Sequence, residues 1–462
     1  MLHDAIGKLE ADGTLTKPFM WGTATAAYQV EGGWNEGGRT PSHWDTFTHS
    51  RGMANADVAC DFYHKYPEDI QLMKRLGFTH FRYSISWSRV MNGKLRNEQG
   101  IQFYRTLTQE LLANGIEPVV TLYHWDLPAH YDWREESVVE AFADFADMMF
   151  SELPDVKYWI TLNEPWVFCF QGYHFGLHAP GAPGSEKVSD MLHCGHHALL
   201  AHARAHGIWK ERYAPSRPDA QLGITLNSDW FEPLDSNSAA DRALSDKKVD
   251  LMLGWFAEPI YGLGDYSANV KGYFGGALPV FTEEEIAAVK GSSDFFGLNH
   301  YTSSFVDSTR GEGFEAEVRA RHGAPIGAKA GSDWLYIVPW GFNRLLAYIK
   351  RRWNPKSIIV TENGVSDHDS GDGDVASLIN DHGRVKFYQD YLTEMAKAIL
   401  EDDVPVVGYF AWTLLDNFEW DKGYVERFGL VYVDFTDPGR RRVVKQSAEY
   451  VGGLMAQADS CR

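Results

Sequence analysis

The sequence predicts an α/β protein built as a (β/α)8 barrel, a TIM barrel with long βα loops at its C-terminal face. Three observations carry that expectation. Short β-rich runs alternate with helical patterns along all 462 residues, the pattern of a parallel sheet covered by helices. Eight such units are present, which suits a closed barrel better than an open doubly wound sheet. No GxGxxG or Walker-type GK segment follows the first strand, so a nucleotide fold is disfavoured. Residues 1–462 are expected to form a single domain, because α/β barrels often run long.

In chain order the strands are expected at Phe19 to Ala26, His80 to Ser86, Glu117 to Tyr123, Lys157 to Leu162, Gln221 to Asn227, Phe295 to Tyr301, Ser357 to Thr361 and Val406 to Trp412. Between them apolar residues recur at helical spacing. In PEDIQLMKRLG, Pro67 suits a first helical turn, Ile70, Leu72, Met73 and Leu76 supply a buried face, and Gly77 ends the helix. Similar patterns run from Ile101 to Asn114, Ser137 to Ser151, Asp190 to Tyr213, Ala239 to Phe256, Gly341 to Arg352 and Gly383 to Leu400. Gly172 to Val188 and Val306 to Ser332 are rich in glycine and charge and lack periodicity, so they read as loops carried on the barrel.

Composition narrows the function. Apolar residues make up 44% and charged residues 23%, the profile of a soluble globular chain. A formal charge of −20 repels phosphate backbones and anionic membrane surfaces, so nucleic acid and membrane are not expected partners. No apolar run approaches the roughly 18 residues of a membrane span. The N-terminal segment shows no basic start followed by an apolar stretch, so a cytoplasmic enzyme is expected, although a signal already removed would look the same. Oligomeric state is open between monomer and homo-oligomer. Aromatic residues reach 14%, which fits either large core aromatics or a pocket that stacks on sugar rings. Cys60, Cys169, Cys194 and Cys461 have no CxxC spacing and are expected as reduced, mostly buried thiols. His193 and His197 stand one helical turn apart, a spacing able to hold zinc, but no third ligand or HExxH glutamate accompanies them. Helix packing is the expectation there, and no metal site is assigned.

In a barrel the chemistry belongs at the C-terminal ends of the strands. Two strands end alike: TLNEP delivers Asn163 and Glu164, and TENG delivers Glu362 and Asn363. A carboxylate in an apolar rim costs several kcal/mol unless paired or hydrogen-bonded. One such glutamate could simply cap a helix. Two on separate strands, each beside an asparagine, point to function. A facing pair suits glycosidic bond cleavage, one carboxyl protonating the leaving oxygen while the other attacks or stabilises the anomeric centre.

These segments resemble glycoside hydrolase family 1, the β-glucosidase family. The resemblance is carried by FMWGTATAAYQVEGGWNEGGRTPSHWDTF, FRYSISWSRV, VTLYHWDLP, TLNEPW, FGLNHYTS, VTENGV and WTLLDNFEWDKGYVERFGLVYVDF, in that order along nearly the whole chain. It implies a retaining mechanism without a cofactor, acting on β-glucosides or short oligosaccharides. Glu164 would be the acid/base, Glu362 the nucleophile, and Arg82 the cation that holds Glu362 ionised. Tyr301 would stand beside the nucleophile with Asn299 at the same strand end, and Asn163 would bond the sugar 2-hydroxyl. Gln29, His124, Asn163, Trp412, Glu419 and Trp420 would recognise the glycone, with Phe428 close by, and Trp334 would meet the aglycone. Taken alone, Trp412 could equally be core and His124 a satisfied core histidine. Trp166, Phe168 and His174 follow the acid closely enough to line the same mouth.

Glu419 stands where the phospho-β-glycosidase branch usually carries serine, and Glu426-Arg427-Phe428 replaces its lysine signature, so a neutral glycone is implied. Activity on galactosides, fucosides and alcohol acceptors is within the family's range. A dedicated transglycosidase would keep both carboxylates; a sugar-binding relative without activity would be expected to lose one. Two segments depart from the commoner family pattern, VPWGF in place of YPEG and QVEGGWNEGGRTPSHWD in place of DGKGPSIWD. They leave the aglycone open.

Overall fold

The computed structural model describes residues 1–182, 187–371 and 373–460. All eight expected strands are present: β1 (Met20–Ala24), β2 (His80–Ser84), β3 (Glu117–Tyr123), β4 (Tyr158–Asn163), β5 (Gln221–Asn227), β6 (Phe296–Asn299), β7 (Ile358–Asn363) and β8 (Val406–Trp412). They pair in parallel, each with its neighbours in sequence, and β1 closes on β8 to complete the barrel. Helices pack outside and strands meet inside, so most strand residues are buried on both faces. β7 runs two residues beyond the expected Thr361, taking Glu362 and Asn363 into the ladder.

The main covering helices are α1 (Phe62–Leu76), α2 (Glu98–Ala113), α3 (Ser137–Glu152), α4 (Lys187–Ile208), α5 (Ala239–Val249), α6 (Pro339–Trp353), α7 (His382–Asp402) and α8 (Gln446–Ser460). Gly77 closes α1 with φ 82°, a conformation that favours glycine. Pro67 does not open α1, contrary to expectation. The helix starts five residues earlier because Phe62 is buried against the barrel, and it carries the proline in its second turn. The predicted loop Gly172 to Val188 begins inside a π-helical turn, Phe170–Phe175, and its residues 183–186 lie outside the described ones. Val306 to Ser332 folds into short antiparallel pairs and two 3-10 turns, Ser308–Arg310 and Phe314–Ala316.

The cysteines need correction. Cys169 and Cys194 form a disulfide, with Cα atoms 5.6 Å apart. Their separation of 25 residues hid this, because it is the packing of α4 along the chain segment after β4 that brings them together. Cys60 is a buried free thiol, and Cys461 lies outside the described residues. His197 packs as expected, buried with Nδ1 on Trp133 O, and the neighbouring His196 meets Tyr266 Oη; His193 does not pack, for it is exposed and its Nδ1 meets Ser189 O of its own helix. Among the described residues no helix is long and apolar enough to cross a membrane.

Candidate active site

Local irregularity at the strand ends builds the site. The β4–β5 register shifts between Ile160 and Asn163, and the β6–β7 register shifts between Val360 and Glu362. Such shifts re-aim side chains at the rim of a barrel. Asn163 is the last residue of β4, and Glu164 follows in the left-handed region at φ 51°, capping the short helix Pro165–Cys169. Trp125 and Trp420 also have positive φ, at 77° and 52°. Three bulky or charged residues held in this sparsely populated region at one end of the barrel mark a place where the surrounding structure dictates the backbone.

Glu362 is held from two sides. Arg82, fully buried on β2, donates from Nη1 to Glu362 Oε1 at 2.6 Å, and Tyr301 Oη donates to Oε2 at 2.6 Å. The same guanidinium donates to Asn163 Oδ1 at 2.7 Å, Thr121 Oγ1 at 3.0 Å and the Thr361 carbonyl at 3.1 Å. Asn299 lies between the carboxyl groups. Its amide nitrogen donates to Glu164 Oε1 at 2.8 Å and to Asn163 Oδ1 at 3.1 Å, and its carbonyl accepts from Thr361 Oγ1 at 2.7 Å. Glu164 is thus linked to Glu362 through Asn299, Asn163 and Arg82.

The two carboxyl groups differ electrostatically. Burial, reinforced by the charge of Glu362, pushes Glu164 up to about 8. Burial also raises Glu362, but the Arg82 charge and the bonds from Tyr301 and Arg82 pull it back. The setting of Glu164 thus favours its proton, while the partners of Glu362 favour its ionised form.

Every glycone residue expected from the sequence gathers around this pair. Asn163 Nδ2 faces His124 Nε2 at 3.1 Å, and the His124 ring stacks near Trp412 and Trp420 with centroids 5.8 and 6.1 Å away. Burial holds His124 neutral, with the nearby Arg82 charge acting in the same direction. Gln29 Nε2 donates to Phe418 O at 2.8 Å and Asn417 Oδ1 at 3.1 Å. Gln29 Oε1, His124 Nδ1 and Glu419 Oε1 are buried with no protein partner. Buried polar atoms are rarely left so, and these three alternate with Trp412 and Trp420 as a hydroxyl-bearing ring would need. Arg427 turns away to Asp369, at 2.5 Å, and the Val433 carbonyl.

At the mouth, Tyr301 meets Phe428 and Trp334 edge-on, at 6.1 and 5.8 Å, with Trp334 44% exposed. On the Glu164 side, Trp166 stacks on Phe170 at 4.5 Å, and Phe170 touches His174, Phe175 and Phe314 at 5.0, 4.9 and 5.6 Å. Phe168 does not join them. It is buried between Tyr123 and Trp133, because helical spacing turns it from Trp166 toward the barrel. Phe170 was missed although it stands four residues after Trp166, a readable spacing. Phe314 sits in an aperiodic loop that gives no signal.

The comparisons with known proteins agree with this geometry. The family model described as glycosyl hydrolase family 1 matches residues 11–459. Beta-glucosidase 42 of Arabidopsis thaliana is 42% identical over 97% of this chain and 95% of its own. Raucaffricine-O-beta-D-glucosidase of Rauvolfia serpentina is 41% identical over 91% of this chain and 87% of its own. A rice Os3BGlu6 beta-glucosidase mutant, solved in a covalent complex with glucose from GA4GE, superposes with a TM-score of 0.90 at 40% identity, covering 96% of this chain and 98% of its own. With its eight-stranded parallel barrel and its match to the family model over nearly its whole length, the chain belongs to glycosyl hydrolase family 1.

Proposed function

We propose that this chain, acting as one catalytic unit over residues 1–462, is a retaining β-glucosidase for neutral β-glycosides. The observation that carries the reading is the asymmetry of the carboxyl pair: Glu362 is pinned by Arg82 and Tyr301, while Glu164 receives only Asn299 and sits where burial favours its proton. Retention by direct attack needs the carboxyl groups about 5 Å apart rather than the roughly 9 Å that admits a water, and the link from Glu164 through Asn299, Asn163 and Arg82 to Glu362 supports the closer spacing.

In the first step Glu362 forms a bond to the anomeric carbon as the bond to the leaving oxygen breaks, and Glu164 gives that oxygen its proton. Esterified Glu362 carries no charge, so the acidity of Glu164 rises and it takes a proton from the attacking water. The ester then breaks, freeing β-glucose. Asn163, fixed by Arg82, is placed to bond the 2-hydroxyl. Gln29, His124 and Glu419 offer unpartnered atoms to the other hydroxyls over the Trp412 face. The carboxyl group of Glu419 and the diverted Arg427 offer a 6-phosphate no cation, which favours an uncharged sugar. The ledge of Trp166, Phe170 and Phe314 favours flat apolar aglycones, and other acceptors can replace water in the second step.

Glu362→Gly is expected to lose nearly all activity on nitrophenyl β-glucoside and to regain it with azide, yielding the α-glucosyl azide. A β-azide product would assign the nucleophile to the other carboxylate. A panel of nitrophenyl β-glycosides with and without a 6-phosphate tests the glycone, and faster turnover of the phosphorylated members would overturn it.

A further inference from the structure

Glu362 and Glu164 are supported differently. Glu362 lies within β7 and receives Arg82 and Tyr301. Glu164 lies just past β4, and among the described residues one side-chain hydrogen bond reaches it, from Asn299. Its backbone N–H donates to Thr225 O at 2.9 Å, which fixes where the chain leaves the barrel. The direction of its side chain depends on the helical segment that follows, Pro165–Cys169 running on into Phe170–Phe175, a length still marginal for an isolated helix.

In its second turn, where α-helical bonding passes into π-helical, Cys169 is joined through its sulfur to Cys194 on α4, and both residues are fully buried. α4 is a firm anchor. Next to Cys194, a Cβ on Gly195 would come within 2.6 Å of the Trp255 ring, so helix and ring are in close contact. His196 and His197 tie the same turn to Tyr266 and to the Trp133 carbonyl at 2.9 and 2.8 Å.

We propose that the Cys169–Cys194 disulfide positions Glu164 by fastening the short helix that carries it to the anchored turn of α4. This rests on the reading of Glu164 as the acid. The disulfide touches no substrate; it acts through the orientation of the carboxyl group. General-acid help matters most for poor leaving groups, so loosening Glu164 slows their departure and spares good ones.

A non-reducing digest should yield one linked peptide pair containing Cys169 and Cys194; recovery of both as free thiols would overturn the proposal. The double variant Cys169→Ala, Cys194→Val keeps the site apolar without the bond, and Cys194→Ala leaves the acid-bearing segment itself unchanged. In each, kcat/KM on an alkyl β-glucoside is expected to drop about tenfold or more, with dinitrophenyl β-glucoside held within about twofold. A merely structural role would lower both rates together, in step with the active fraction found by active-site titration, and that result would overturn the proposal. Glu164→Gln is the control. If it shows the leaving-group split and the cysteine variants do not, the positioning role fails alone; if it lacks the split, the acid assignment fails with it.

Discussion

At the scale of single residues, Arg82 decides most. Its guanidinium serves Glu362, Asn163, Thr121 and the Thr361 carbonyl at once, a fork that an ammonium cannot reproduce. Arg82→Lys is expected to lower kcat/KM on nitrophenyl β-glucoside by about a hundredfold through misplaced partners, and near-normal activity would show that charge alone suffices. The paired carboxyl groups also fix the pH profile. In the proposed mechanism activity requires ionised Glu362 and protonated Glu164, so kcat/KM is expected to fall on the acid side as Glu362 takes up a proton and on the alkaline side as Glu164 loses one. Tyr301→Phe removes a bond that favours ionised Glu362, so the acid limb is expected to move to higher pH. An unmoved acid limb would show that Tyr301 does not set the charge of Glu362.

At the scale of elements, what was legible in the sequence followed the physics of burial. The barrel strands show as β-rich runs because both faces are covered, and the covering helices show through their one apolar face. Glu164 and Glu362 stand out because charge at the end of a buried strand demands a reason. Their support does not stand out. The bonds of Asn299 to Glu164 and Asn163 depend on register shifts at the strand ends, which alternation of residue types cannot reveal. The disulfide depends on how α4 lies against the segment after β4, and the proline inside α1 was overridden by burial of Phe62. Phe168 and Phe170 were separable by helical phase, whereas Phe314 reaches the mouth from a loop with no period.

At the scale of the whole molecule, the barrel supports a site that is unfavourable for stability. Glu164, Glu362 and Glu419 are buried near one another, and desolvation raises all three. Removing such a group trades function for stability. The sign follows from proton linkage. Burial pushes folded Glu164 up to about 8 from the 4.5 of a free glutamate, so between those values the native state holds more protons at this group and its contribution to stability falls as pH rises. Glutamine does not titrate and carries no such penalty. Glu164→Gln is therefore expected to melt above the wild type, by a margin that is small near pH 5 and widens toward pH 8. Paired melting curves across that range measure it directly. A margin that is constant, or that narrows as pH rises, would mean that Glu164 is already ionised in the folded protein at neutral pH, and the assignment of the general acid would fall with it.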